Sequence, residues 1–223
     1  MTTHEALQSL LQSRHSCRAF HPKPVSRDVI QQILLDAGRV PSWCNAQPWH
    51  VYLTSGDETE RFRKTMLNAF DTAPPTTDFT APKEYSGPRL ERRRTCGFQL
   101  YEAAGISRSD RKSRIAQMRE NYRFFGAPHV AMITSASELG TYGALDCGGL
   151  ITTFCLSAQA QGVATIPQAA LAHYATEVRD HFAIPDDQKV LAAISFGYAI
   201  TDAPVNGFRT ARAPLDDFVT WKG

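Results

Sequence analysis

Two short stretches hold the residue types that could do chemistry. The first, Arg14-His15-Ser16-Cys17-Arg18, sets two guanidinium groups around a hydroxyl. Guanidinium forks and hydroxyl donors match the oxygens of a phosphate. The same arginines, at the end of a Leu7, Leu10, Leu11 stripe, also suit the C-terminal dipole of a helix. The second stretch, Pro41 to Trp49, reads Pro-Ser-Trp-Cys-Asn-Ala-Gln-Pro-Trp. Prolines at both ends restrict its backbone and deny it a helix, while Ser42, Asn45 and Gln47 stand as short polar groups between two indoles. Such a segment is a rigid loop, and a loop held between two regular elements is a place where ligands bind. The competing reading is a proline-rich turn whose tryptophans plug the core.

The elements that must position these residues can be read from periodicity. Ser26 and Asp28 open a helix carrying Val29, Ile30, Ile33, Leu34 and Ala37, and Gly38 stops it. After the strand-like run His50 to Thr54, Asp57 and Glu60 form a capping pair for a helix through Phe70. Between Asp71 and Pro88, four prolines (Pro74, Pro75, Pro82, Pro88) predict a long surface excursion. Arg89 to Arg94 holds four arginines, but Leu90, Arg94, Gly97 and Tyr101 fall at helical spacing, and no aromatic residue is interleaved to stack bases. That run reads as a solvated helix face rather than a nucleic-acid site. Ile115, Met118, Arg119 and Tyr122 mark a further helix, and His129 to Ser135 a short strand. Ala144 to Gln161 is a helix apolar nearly all round, thinned by Gly148 and Gly149 so that another backbone can approach. Val190 to Tyr198 is an apolar strand of central character, and the polar residues 199–223 form a tail that needs a surface to lie on.

Composition narrows the class. With 223 residues, 43% hydrophobic, the chain suits one domain that buries a core. A formal charge of +2 implies no polyanionic partner such as nucleic acid. No apolar run approaches the ~18 residues of a membrane helix, and His4, Glu5 and Gln8 stand where a signal peptide would be apolar, so a cytoplasmic protein is expected. The five cysteines form no C-x-x-C pair, which argues against a disulfide framework and against a bound metal. His15, His50 and His129 are scattered among apolar neighbours, and no acid–base dyad is evident.

Taken together and in this order, Arg14 to Arg18 and Pro41 to Trp49 resemble the signature stretches of the flavin-dependent nitroreductase family. In that family Arg-(Arg/His)-Ser-x-Arg is followed, after one helix, by Pro-Ser-x-x-Asn-x-Gln-Pro-Trp. Gly162, Thr165 and Pro167 match the family's Gly-x-x-Thr-x-Pro stretch, and Arg212-Ala213-Pro214 its late basic residue before a proline. The resemblance implies an α+β fold, a mixed and mainly antiparallel sheet wrapped by helices, in an interlocked homodimer. It implies one domain over 1–223, with a variable excursion at about 71–125 and the tail 199–223. It also implies an FMN enzyme that takes electrons from NADPH or NADH and reduces nitroaromatic compounds through nitroso to hydroxylamino or amino products, in two alternating half-reactions. Residues expected at FMN are Arg14, His15, Ser16 and Arg18, then Pro41, Ser42, Trp43, Asn45 and Gln47, the stretch Pro167, Gln168, Ala169 and Ala170, and Arg209 and Arg212. No protein side chain is required as a catalytic group, because the flavin itself carries the hydride. Many relatives have a glutamate after that proline, and its absence here removes a side chain but not a backbone contact. The alternatives are a same-fold flavoenzyme acting on quinones, halogenated aromatics or flavin, or a flavin-binding protein without turnover.

A planar nitroarene needs a flat cover opposite the flavin ring, and the aromatic residues in or beside the unmatched region are candidates. Trp43, Tyr85, Phe124 and Phe125 are expected at the substrate, although Phe124 and Phe125 also suit a core position at a helix end.

Overall fold

A computed structural model describes residues 1–223. At its centre lies a four-stranded antiparallel sheet of β1 (Trp49–Thr54), β2 (His129–Ala136), β3 (Ala164–Gln168) and β4 (Gln188–Gly197), in the order β1-β2-β4-β3. The parallel contacts are single bridges, Ser16 with Thr165 and Thr76 with Tyr174. β2 and β4 occupy the middle, which is why both read as nearly continuous apolar runs instead of alternating ones.

Seven helices surround the sheet: α1 (Thr3–Ser13), α2 (Arg27–Ala37), α3 (Asp57–Thr72), α4 (Gly87–Ala103), α5 (Arg111–Arg119), α6 (Gly140–Ala160) and α7 (Ala175–Phe182). Alternation along β2 divides the core. Val130 and Met132 pack with Phe62, Met66 and Val178 of α3 and α7, while Ala131 and Ile133 pack with Ile30, Ile33, Leu150 and Phe154 of α2 and α6. Covering both faces in this way gives three layers, helix, sheet and helix. None of the helices is long and apolar enough to cross a membrane.

Three of the seven helix starts are capped by a local side chain. Thr2 and Glu5 form a capping box at α1, and the side chains of Ser26 and Asp110 accept from the backbones of Val29 and Ser113 at α2 and α5. The expected capping pair at α3 is absent. Its N-cap is Gly56, at φ 54°, so Asp57 already lies in the helix, and Glu58 and Glu60 bind Arg61 and Arg63 instead. Left-handed backbone at that position favours glycine, which takes the capping place from a polar side chain.

Two expectations about aromatic residues change. Phe124 and Phe125 are buried in the core, with Phe62 stacked 5.2 Å from Phe124, and so have no surface to offer a substrate. Both adopt positive φ, 59° and 52°, in the turn before β2, and this drops the two rings inward. The Arg63 guanidinium lies 5.0 Å from the Phe124 ring and donates to the Ala127 carbonyl at 2.9 Å, which pins the turn. Trp43, by contrast, is no core plug. It is 61% exposed and leans on Tyr142 of α6.

Candidate functional site

The end of α1 and the C-terminal tail meet in a cleft of about 360 Å³. Arg14, His15, Ser16 and Arg18 line one side, Phe208, Arg209, Thr210 and Arg212 the other, with Cys96 of α4 between them. No carboxylate lines the cleft, and none of its four arginines is ion-paired, although Arg61, Arg63, Arg92, Arg119, Arg123 and Arg179 all have acidic partners. Four uncompensated guanidinium groups beside a hydroxyl are a site for a multiply charged anion.

Arg18, Arg209 and Arg212 are held by backbone carbonyls rather than by an opposing charge. Arg18 donates to the Ser16 carbonyl at 3.1 Å and lies 5.3 Å from the Phe208 ring centre. Burial lowers its pKa, and a guanidinium answers burial by seeking an anion, not by losing its proton. Arg209 donates to the carbonyls of Asn206 and Phe208 at 2.8 and 2.9 Å, and Arg212 to the Thr210 hydroxyl at 2.8 Å. His15 sits among these charges with Nδ1 3.0 Å from the Ser13 carbonyl. Burial first, and then Arg209, Arg14 and Arg18, pull its pKa below the ordinary imidazole value, so it is neutral at pH 7.

Asn206 joins the two halves of the cleft. Its side-chain carbonyl accepts from the Arg18 backbone at 2.6 Å, while its amide donates to the carbonyls of Ala19 and Ile200 at 2.9 and 2.8 Å. The tail therefore finds its surface on the chain's own N-terminal segment and on α4, where Asp217 pairs with Arg92 at 2.7 Å. Sequence reasoning missed Asn206, Phe208 and Cys96. An Asn-Gly pair at 206–207 signals a turn, but nothing local reveals that the asparagine is buried.

A backbone contact connects this cleft to β3. The Cys17 N–H donates to the Thr165 carbonyl at 3.0 Å, beside the Ser16–Thr165 bridge. From Thr165 the chain runs to Ala169, just past the end of β3, about 13 Å at ~3.3 Å per residue. Pro167 and Ala169 are exposed there, and Ala170 is half-buried. Gln168 turns inward. Its amide donates to the Asn121 carbonyl at 2.9 Å and its carbonyl accepts from the Ser195 hydroxyl, so only its backbone is free to face a ligand.

Beside Ala169 lies a second hollow of about 170 Å³, walled by Thr77, Phe79 and Pro82 of the excursion and by His173. The first half of the excursion is anchored. Asp78 accepts from Arg179 at 2.5 Å and from the Val190 backbone at 2.7 Å, and Thr76 accepts from the Ala175 N–H at 2.8 Å. Tyr85 lies outside this hollow, with Arg93 5.2 Å from its ring centre.

The loop 41–47 does not reach the cationic cleft in this chain. It is strained: Cys44, Asn45 and Gln47 all have positive φ, 49°, 58° and 48°. Such conformations cost of order 1–3 kcal/mol each and collect at ligand sites. Asp146 of α6 accepts from the Trp43 N–H at 3.0 Å, and the Ser42 hydroxyl from the Gln47 N–H at 2.9 Å, which holds the loop in place. Its polar groups face outward, Asn45 and Gln47 being exposed and Ser42 half-buried.

The model of the nitroreductase family matches residues 11–198. Nitroreductase NfnB of Mycolicibacterium smegmatis is 36% identical to this chain over 96% of it and 91% of the relative. The chain belongs to the nitroreductase family. The 4-nitrobenzoate reductase of a Nocardioides species is 33% identical over 97% of the chain and 90% of its own length. Among solved structures, that of the FMN-dependent nitroreductase NfnB from Mycobacterium smegmatis in complex with NADPH superposes with a TM-score of 0.95. It is 35% identical, with complete coverage of both chains. The family match contains the Arg14–Arg18 stretch, the loop 41–47 and β3, but ends before Arg209 and Arg212, so half of the cationic cleft lies in the tail beyond it.

Proposed function

We propose that the protein is an FMN-dependent oxidoreductase that uses NADPH or NADH to reduce nitroaromatic compounds through nitroso to hydroxylamino or amino products. The observation that carries this reading is the carboxylate-free cleft of Arg14, Arg18, Arg209 and Arg212, joined by a backbone bridge to the exposed end of β3. Names of full-length relatives at 30% identity or more, nitrobenzoate and nitrobenzene reductases among them, agree with it.

The residues present suit FMN. Its phosphate dianion would take the four guanidinium groups and the Ser16 hydroxyl, and its ring would lie along Pro167 to Ala170. FMN, when bound, supplies the hydride chemistry that no side chain here provides. The protein's part is to bind, orient and exclude water. Backbone amides at 169–170 present donors toward the ring edge, and Thr77 to Pro82 wall the space beside it. Negative charge gained near the ring's carbonyl edge would be met by the amides of Asn45 and Gln47.

The outward polar face of the 41–47 loop supports a site shared between two chains, in which the loop of one protomer completes the cleft of the other. Tyr142 and Leu145 of α6, 57% and 69% exposed, and the open space at Gly148 suit the same packing. The protein then acts as an obligate homodimer, each chain a single unit over residues 1–223. Five free thiols fit the reducing cytoplasm, where its nicotinamide donor is available.

The test is anaerobic. The purified yellow protein is mixed with NADPH and with NADH, then with nitroarenes and quinones, while sedimentation reports its mass. Bleaching by nicotinamide and recovery of colour by nitroarenes, at a dimer's mass, is the expected outcome. Colour that nicotinamide leaves untouched would reduce the protein to a flavin binder, and recovery by quinones alone would move it to quinone reduction.

A further inference from the structure

We infer that the cleft between α4 and α5 is a recognition site for the carboxylate of a small aromatic acid, with Arg114 as its anion anchor. The site would select among substrates of the nitroreductase activity, and it rests on that reading. The cleft holds about 300 Å³, at the lower end of volumes that enclose a small ligand. Its apolar wall is Leu100, Tyr101, Ile115 and Met118, and its polar wall includes Arg111 and Arg114.

Three features point to an anion carried on a flat apolar body. Arg114 makes no side-chain hydrogen bond or ion pair, and its Nε is buried without a partner. A buried guanidinium N–H with nothing to donate to is an unfilled demand for an acceptor. No aspartate or glutamate lines the cleft, so no protein carboxylate competes for that donor. Ile115 and Met118 are 43% and 51% exposed, an apolar surface beside that donor which a benzene ring would cover. Nor is the cleft isolated from the β3 end, because Asn121, which lines it, accepts from Gln168 through both its backbone carbonyl, at 2.9 Å, and its side-chain oxygen, at 3.3 Å. The cleft thus borders the residue that fixes the Gln168 side chain, next to Pro167 to Ala170.

Calorimetric titration of the FMN-loaded protein with benzoate, benzamide and inorganic phosphate provides the test. Benzoate is expected to bind, benzamide at least tenfold more weakly, and phosphate without competing. Arg114→Gln should lose benzoate binding tenfold or more, Arg114→Lys should recover part of it, and Arg111→Gln, on the exposed rim, should lose less. In turnover, Arg114→Gln should raise KM for 4-nitrobenzoate with little change in kcat, and leave nitrobenzene reduction within twofold. Equal binding of benzoate and benzamide, displacement by phosphate, or an unchanged Arg114→Gln of native melting temperature would overturn the assignment. If benzoate binds through Arg114 but no nitroarene is reduced, the cleft stands as a carboxylate site and the proposed activity fails. If nitroarenes are reduced without any preference for the acid, the reverse holds.

Discussion

Two regions of this molecule are rich in arginine and differ in everything else. Arg89 to Arg94 lies on α4, a helix with no buried residue, where Arg92 pairs with Asp217 and Arg93 covers Tyr85. Arg14, Arg18, Arg209 and Arg212 come from opposite ends of the chain and meet in a cleft without a single carboxylate. The contrast teaches that charge density does not identify a site. Exposed pairs are worth about 0–1 kcal/mol and are screened by water. Cations gathered around a carboxylate-free cleft, none of them ion-paired, keep their donors for something else.

Arg18→Ala should have the largest effect. Its guanidinium is the most enclosed of the four, and loss of a charge-assisted contact worth about 1.5–3 kcal/mol predicts FMN affinity lower by roughly ten- to hundredfold. A flavin dissociation constant within twofold of wild type would break the comparison at its strongest point. Phe79→Ala tests the hollow beside Ala169. It should change the preference among nitroarenes about tenfold, the scale of a contact worth ~1–3 kcal/mol, while flavin bleaching by NADPH stays within a few-fold; Tyr85→Ala, outside the hollow, should change neither. Arg212→Ala, held only by its own turn, should weaken FMN about tenfold, a smaller loss than for Arg18.

The next effect is proton-linked. Burial lowers the pKa of both His15 and His129, so the folded apoprotein binds fewer protons than the unfolded chain just below the ordinary imidazole value of 6.5. Their contribution to stability is complete above that value and falls away as the pH drops. The urea midpoint of the apoprotein should therefore be lower at pH 5.5 than at pH 7.5, with a smaller difference in His15→Gln. Arg92→Ala should do least, leaving FMN affinity unchanged and costing less than about 1 kcal/mol. A marked loss of flavin in that variant would mean that the exposed arginines belong to the site after all.

Local rules were enough for the two signature stretches, the helices that Gly38 and Gly162 terminate, and the buried character of β2 and β4; α6, apolar nearly all round, buries only one face in this chain. Periodicity, capping and glycine placement act over a few residues and leave their marks in order along the chain. That is why Arg14 to Arg18 and Pro41 to Trp49 stand out in the sequence itself. Tertiary structure alone decided what those stretches face. The bridge from Ser16 to Thr165, the Asn206 link between the N-terminal segment and the tail, and the presence of both Arg209 and Arg212 in one cleft depend on contacts between distant segments. The inward turn of Phe124 and Phe125 follows from left-handed backbone that only a packed core sustains. A sequence records which groups can donate a hydrogen bond; whether an arginine there meets a carboxylate or is left to hold a ligand is settled only when the chain has closed around it.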